Sequence, residues 1–239
     1  MSVLQDCINK NSKANCIWLM RQAGRYLPEF RKIRSENSDF IKLCLNEDLS
    51  SEITVQPLKR FDIDAAIIFS DILLVPYALG QTVEFRKDFG PILGKIDFVE
   101  ISKTNQNQFL EKLRPVYNAL KKTKQKKELK NKDLIGFIGA PWTILIYMLN
   151  QKSPKSKDIN KSLNDKKLIK NLLKTVIKFL KIHIEHQINS GATIIQIFDS
   201  WAGLLDEGNY EEYIYKPTKD LVDFIKSKNI PVICFPKGI

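Results

Sequence analysis

The sequence predicts an α/β fold built from right-handed strand–helix units, of the (β/α)8 TIM-barrel type. Three observations carry this prediction. Short apolar runs rich in β-branched residues recur along the chain, amphipathic helical stripes lie between them, and chemically active polar residues stand just after the runs.

The apolar runs cover residues 17–20, 65–69, 134–138, 193–198 and 232–235, five candidate strands of a buried parallel sheet. After the first, Pro28-Glu29-Phe30-Arg31 opens a helix. Leu49, Ile53, Leu58 and Phe61 suit one face of the next, with Pro57 kinking or ending it. Between the second and third runs, Thr82-Val83-Glu84-Phe85-Arg86 and Phe89-Gly90-Pro91-Ile92-Leu93 read as a small hairpin inserted at the top of the sheet. Phe109, Leu113, Val116, Tyr117 and Leu120 form a 3.6-period stripe, and Leu168, Leu172, Val176, Phe179 and Leu180 form another in a long helix reaching about Asn189. A further helix runs over 211–226, interrupted near Pro217.

Such alternation fits an open doubly wound sheet or a closed barrel. The polar residues favour the barrel. Arg21 follows the first run directly, Asp71 lies two residues past the second, Pro141 and Tyr147 follow the third, Ser200 lies two past the fourth, and Lys237 two past the fifth. In a barrel all of them converge on the C-terminal face, where such enzymes keep their active sites. Residues 1–239 are expected to form one domain.

The formal net charge of +11 and pI near 9.4 suit nucleic acid, a membrane surface or a polyanionic small molecule. Lys121-Lys122-Thr123-Lys124-Gln125-Lys126-Lys127 reads as a solvated polar loop, and no basic stretch is interleaved with aromatics, so nucleic acid is not expected. Cys7, Cys16, Cys44 and Cys234 lack C-x-x-C spacing, the N-terminus has no secretory pattern, and no apolar run nears the ~18 residues that span a bilayer. A soluble protein with free thiols in a reducing cytoplasm is the expectation.

Arg21-Gln22-Ala23-Gly24-Arg25 sets two guanidinium groups four residues apart beside an apolar run. These planar, permanently charged forks bind carboxylates or phosphates in bidentate fashion, so the expected ligand is anionic.

The run Trp18-Leu19-Met20-Arg21-Gln22-Ala23-Gly24-Arg25-Tyr26-Leu27-Pro28-Glu29-Phe30-Arg31 resembles the N-terminal signature of the uroporphyrinogen decarboxylase family. Four further blocks agree in order: Asp64-Ala65-Ala66-Ile67-Ile68-Phe69-Ser70-Asp71-Ile72-Leu73, Gly136-Phe137-Ile138-Gly139-Ala140-Pro141-Trp142-Thr143, Gln196-Ile197-Phe198-Asp199-Ser200-Trp201-Ala202-Gly203 and Val232-Ile233-Cys234-Phe235-Pro236-Lys237-Gly238.

The resemblance implies a haem-pathway lyase that trims the four acetate side chains of uroporphyrinogen III to methyls, giving coproporphyrinogen III. It implies no metal or organic cofactor, and a homodimer. It also implies site residues. Asp71 is the central carboxylate for pyrrole N–H groups, and Arg21 and Arg25 hold substrate carboxylates, with Arg21 also a candidate to donate or relay a proton. Tyr147 contacts substrate or the aspartate, Ser200 binds a carboxylate, Phe40 lines the pocket, and Gln22, Ala23 and Gly24 supply backbone contacts.

Plainer roles compete with these. Asp71 has the position of a helix cap, Arg21 and Arg25 have Glu29 and Asp39 as potential ion-pair partners, and Tyr147 suits a core. Ser200 has no assignable histidine base and is not read as a nucleophile. His183 and His186 share a helix face without a third ligand, so no metal site is assigned. Gly136 and Gly139 read as close backbone packing rather than a dinucleotide fingerprint.

The family's barrel has eight strands, whereas five are legible here, and the family's C-terminal histidine segment has no counterpart. The expectation is therefore a C-terminally shortened barrel with about five of eight strand–helix units. A competing expectation is a non-catalytic fragment, or split-gene piece, that needs a complementing C-terminal part. A third reading is a barrel methyltransferase with a zinc-bound thiol. It requires a His/Cys zinc motif that is absent, and it leaves the Arg21 block unexplained.

Overall fold

The computed structural model describes residues 3–9, 15–86, 88–154 and 165–239. Helix starts are set by local chemistry. α1 (Val3–Ile8) is followed by α2 (Pro28–Glu36), which begins on a proline whose fixed φ suits the first turn. Asp39 caps α3 (Phe40–Cys44) and Asn46 caps α4 (Glu47–Arg60), each accepting backbone N–H groups that have no intrahelical partner. Pro57 neither kinks α4 to a stop nor ends it: the helix runs on to Arg60, and the Pro57 carbonyl accepts the Phe61 N–H at 2.9 Å.

Strand β1 (Ala65–Ile67) leads to α5 (Leu74–Ala78) and then to the antiparallel pair β2 (Val83–Arg86) and β3 (Gly90–Leu93). Helix α6 (Phe98–Lys103) is capped by Asp97, and α7 (Gln106–Lys124) by a reciprocal Asn105–Gln108 capping box. β4 (Asp133–Gly139) feeds α8 (Pro141–Asn150), α9 (Lys166–Asn189) feeds β5 (Ile194–Asp199), and a π-helical turn over Glu211–Tyr215 enters α10 (Lys216–Ser227) before β6 (Val232–Pro236). Lys121, Lys122 and Lys124 belong to the last turn of α7 rather than to a loop, where cations complement the helix dipole.

The main sheet has four parallel strands in the order β1-β4-β5-β6, with Ala66 opposite Leu134, Ile138 opposite Ile197, and Ile197 opposite Cys234. Sheet order follows chain order. No switch point interrupts it, unlike a doubly wound sheet. Ala66, Ile68, Leu134, Ile138, Ile195 and Ile197 face the large core shared with the helices, whereas Ala65, Ile135 and Ile194 pack on the opposite face with Leu4 of α1. Among the described residues, no helix is long and apolar enough to cross a membrane.

Residues 17–20 are not a strand. Ile17 and Asp64 exchange two hydrogen bonds, the Ile17 N–H donating to Asp64 Oδ2 at 2.6 Å and the Asp64 N–H to the Ile17 carbonyl at 2.8 Å. Two residues later the Leu19 N–H donates instead to Gln22 Oε1 at 2.9 Å. That bond takes a donor the ladder would need and turns the chain at Met20 and Arg21. Ile17 and Leu19 are left more than half exposed.

Candidate functional site

A cavity of about 440 Å³ opens at the C-terminal ends of the parallel strands. Arg21, Gln22 and Ala23 enter it from the turn before α2, Phe40 from α3, and Ser70 and Asp71 from the loop after β1. Phe85 and Pro91 of the hairpin, Tyr147 of α8, and Phe198 and Ser200 at the end of β5 complete the wall. Arg25 and Gly24 are not among the lining residues; the Arg25 side chain is exposed.

Asp71 sits on the loop between β1 and α5, with its Oδ1 accepting the Leu73 N–H at 2.8 Å. That bond fixes the carboxyl and steadies the turn into α5, so capping and pocket placement coexist in one residue. Burial pushes the Asp71 carboxyl up to about 6, opposed by the Leu73 N–H and by the positive charge of Arg21. The Tyr147 hydroxyl is raised by burial, and it senses the charges of both Asp71 and Arg21. Its ring meets that of Trp201 edge-on at 5.8 Å.

Neither arginine of the clamp uses the acids close to it in sequence. Glu29 is held bidentately by Arg60 at 2.7 and 2.8 Å, which lowers the Glu29 carboxyl to about 2. Asp39 caps α3 and pairs with Lys42 at 3.8 Å. Among the described residues, Arg21 and Arg25 make no ion pair through their guanidinium groups.

Gln22 is a strut as well as a lining residue. Its buried side chain accepts from Leu19 and donates from Nε2 to the Ala65 carbonyl at 3.0 Å, and its own carbonyl accepts from the Tyr26 hydroxyl. The clamp turn is thereby tied to the start of β1. Phe40 packs edge-on against Phe69 at 5.8 Å and Phe85 at 4.6 Å, with the Arg34 guanidinium over its outer face at 5.7 Å.

Sequence reasoning placed Phe40 and Tyr147 in the lining but missed the aromatic residues at the strand exits. Phe69 closes the second apolar run, Phe198 closes the fourth and Phe137 lies one residue before the end of the third, and all three face the cavity. An aromatic residue recurring at strand exits was the available signal. His183 lies far from this site in role: its Nδ1 and the Tyr117 hydroxyl share a hydrogen bond at 3.0 Å, and burial pulls its imidazole down to about 3, so it is a neutral core residue. Gly136 and Gly139 do mark close packing, because an added Cβ would lie 2.6 Å from Gln187 Oε1 or from Ile144 Cδ1, respectively.

A family model described as Uroporphyrinogen decarboxylase (URO-D) matches residues 3–239. The chain belongs to the uroporphyrinogen decarboxylase family. It is 43% identical to the uroporphyrinogen decarboxylase of Rickettsia bellii, over the whole of this chain and 71% of that protein. It is 42% identical to the uroporphyrinogen decarboxylase of Campylobacter jejuni, again over the whole chain and 72% of the relative. Among solved structures, a methyltransferase from Methanosarcina mazei superimposes with a TM-score of 0.74 at 15% identity, covering 97% of this chain and 67% of that one. That likeness concerns the fold alone. In the decarboxylase family frame, the blocks around Arg21, Asp71, Tyr147 and Ser200 are those whose side chains meet in the cavity.

Proposed function

We propose that this chain is a cofactor-independent carboxy-lyase that converts uroporphyrinogen III to coproporphyrinogen III in haem biosynthesis. The observation that carries the reading is the pairing of a partly buried carboxylate, Asp71, with a guanidinium, Arg21, that makes no ion pair among the described residues, in one cavity walled mainly by apolar and aromatic side chains.

Loss of CO2 from a pyrrole acetate needs somewhere to put the electron pair. Protonating the ring carbon beside the acetate makes the pyrrole a cationic acceptor. CO2 then leaves and the pair neutralises the ring; the exocyclic methylene is protonated to a methyl, and the ring carbon gives up the proton it had gained, which restores the pyrrole. The substrate thus carries its own sink, and the protein's part is to orient the ring and stabilise the transient cation.

Asp71 suits that part. An ionised carboxylate accepts the pyrrole N–H groups and offsets the developing positive charge, and an apolar cavity strengthens that interaction relative to water. Arg21 holds a substrate carboxylate within reach of the reacting ring and relays a proton through the acid it binds. Arg25, exposed and without an ion pair among the described residues, receives a carboxylate at the periphery. Ser200 and the Tyr147 hydroxyl bind at the rim, Phe40 stacks at the wall, and the Gln22 and Ala23 backbone lines the approach, with Gly24 outside the lining.

The uninterrupted order β1-β4-β5-β6 supports the barrel type over a doubly wound sheet, and residues 1–239 are read as one barrel-type domain. A homodimer is the assembly expected of the family, open to sedimentation analysis. The activity itself is tested by incubating the purified, monodisperse chain with uroporphyrinogen III under reducing conditions and resolving the products by chromatography. Stepwise conversion to coproporphyrinogen III, lost in Asp71→Asn, supports the reading; its absence from the wild-type chain overturns it.

A further inference from the structure

Two sequence blocks distant along the chain, one opening α8 and one closing β5, are joined by buried hydrogen bonds that surround Ser200. Thr143 Oγ1, wholly buried, donates to Asp199 Oδ1 at 2.6 Å and accepts the Trp201 N–H at 3.2 Å. Trp142 Nε1 donates to the Trp201 carbonyl at 3.1 Å. Asp199 is 3% exposed, and its Oδ2 has no hydrogen-bond partner among the described residues. Its backbone carbonyl accepts the Lys237 N–H at 3.0 Å.

Ser200 is therefore bracketed. One hydroxyl, that of Thr143, bonds the residue before it and the residue after it, while Ser200 itself faces the cavity. The Asp199 side chain faces α8 instead, so it neither touches the cavity nor completes a salt bridge. A buried carboxylate with one oxygen unpaired is costly to keep for stability alone.

We propose that Thr143 and Asp199 are positioning residues for the decarboxylation, acting through Ser200 by fixing the strand exit on which its hydroxyl is presented to a substrate carboxylate. This rests on the proposed decarboxylase reading of the cavity. Neither residue contacts substrate. Loosening either one lets the Ser200 turn move, and the carboxylate contact is lost without any change in the groups at the reacting ring.

The test is a double-mutant cycle in the full chain, using coproporphyrin III as the binding probe and quenching of tryptophan fluorescence as the readout, with turnover of uroporphyrinogen III followed in parallel. Thr143→Val keeps the shape and removes both hydrogen bonds. It should raise Kd and KM about fivefold with kcat changed less than twofold, matching Ser200→Ala. The two substitutions together should be no worse than Ser200→Ala alone. Asp199→Ala should behave like Thr143→Val, and Asp199→Asn, which keeps an acceptor for Thr143, should restore wild-type Kd to within about twofold.

Equal losses from Thr143→Val in the wild-type and Ser200→Ala backgrounds overturn the bracket and leave the decarboxylase reading intact. So does an unchanged Kd in folded Thr143→Val, checked by circular dichroism. A Ser200→Ala protein that binds like wild type overturns the bracket together with the Ser200 role. Coupling in Kd without any turnover supports the bracket and counts against the activity.

Discussion

Arg21 and Asp71 face the same cavity, and the charge of Arg21 lowers the affinity of the Asp71 carboxyl for its proton, yet no ion pair closes between them. A direct pair would neutralise both groups before substrate arrived. Held apart, the guanidinium is open to a substrate carboxylate and the carboxylate to pyrrole N–H groups.

The separation sets a pH dependence. With the Asp71 carboxyl at about 6, the free protein holds the ionised form above that pH, so kcat/KM should rise through an acidic limb near 6 and level off above it. Because Arg21 favours the ionised form, Arg21→Gln should move that limb to higher pH as well as raise KM. A pH–rate profile of the two proteins checks the shift, and an unmoved limb assigns the titration to another group.

Burial also raises the Asp199 carboxyl to about 6 from 3.8, opposed only by Thr143. The folded state then binds the proton more tightly than the unfolded chain. The associated stability is fully present below pH 4 and is lost as pH rises through about 6. Asp199→Asn mimics the protonated form and should stabilise the fold by about 1 kcal/mol at pH 7.5, with the gain shrinking toward pH 5. Urea unfolding at both pH values measures it; a gain independent of pH removes the buried-charge account.

Gln22 ties the clamp turn to β1 through Leu19 and the Ala65 carbonyl. Gln22→Leu keeps most of the volume and strands both backbone groups, a loss of about 2 kcal/mol in stability. Since the same turn carries Arg21, KM should rise severalfold while kcat falls less. Denaturant unfolding and steady-state kinetics on one preparation separate the two effects.

Gly136 lies against the Gln187 side chain, whose Oε1 accepts the Phe137 N–H at 2.9 Å and whose Nε2 donates to the Phe137 carbonyl at 3.0 Å. Gly136→Ala puts a methyl 2.6 Å from Gln187 Oε1 and 3.0 Å from the Ala192 Cβ. Both bonds must give way, so a loss of about 2 kcal/mol is expected by thermal unfolding. Gly208→Ala, where an added Cβ meets nothing within 4 Å, is the matched control and should stay within about 0.5 kcal/mol of wild type.

Much of the fold was legible because its signals are local. The stripes of α7 and α9 appear in the chain as periodic apolar residues, and their caps, Asn105 and Asp165, bond residues three positions away. The hairpin of β2 and β3 lies where the two short runs over 82–86 and 89–93 placed it. The segment over 17–20 departs from its strand pattern for the opposite reason. Its composition is that of a strand, but a strand exists only where a partner completes the ladder, and there Gln22, a side chain, supplies the bond instead.

The sequence by itself determined the alternation of strands and helices from Ala65 onward and the residue types of an anion-binding, acid-bearing site, since these follow from periodicity and side-chain chemistry. Only the tertiary structure decided which groups are free to act. Glu29 and Asp39 are committed to Arg60 and Lys42, which leaves Arg21 without an ion pair among the described residues, and Thr143 reaches Asp199 across 56 positions of chain. Competition among partners, and the desolvation that raises Asp71 and Asp199, depend on which surfaces pack together, and no local pattern encodes that.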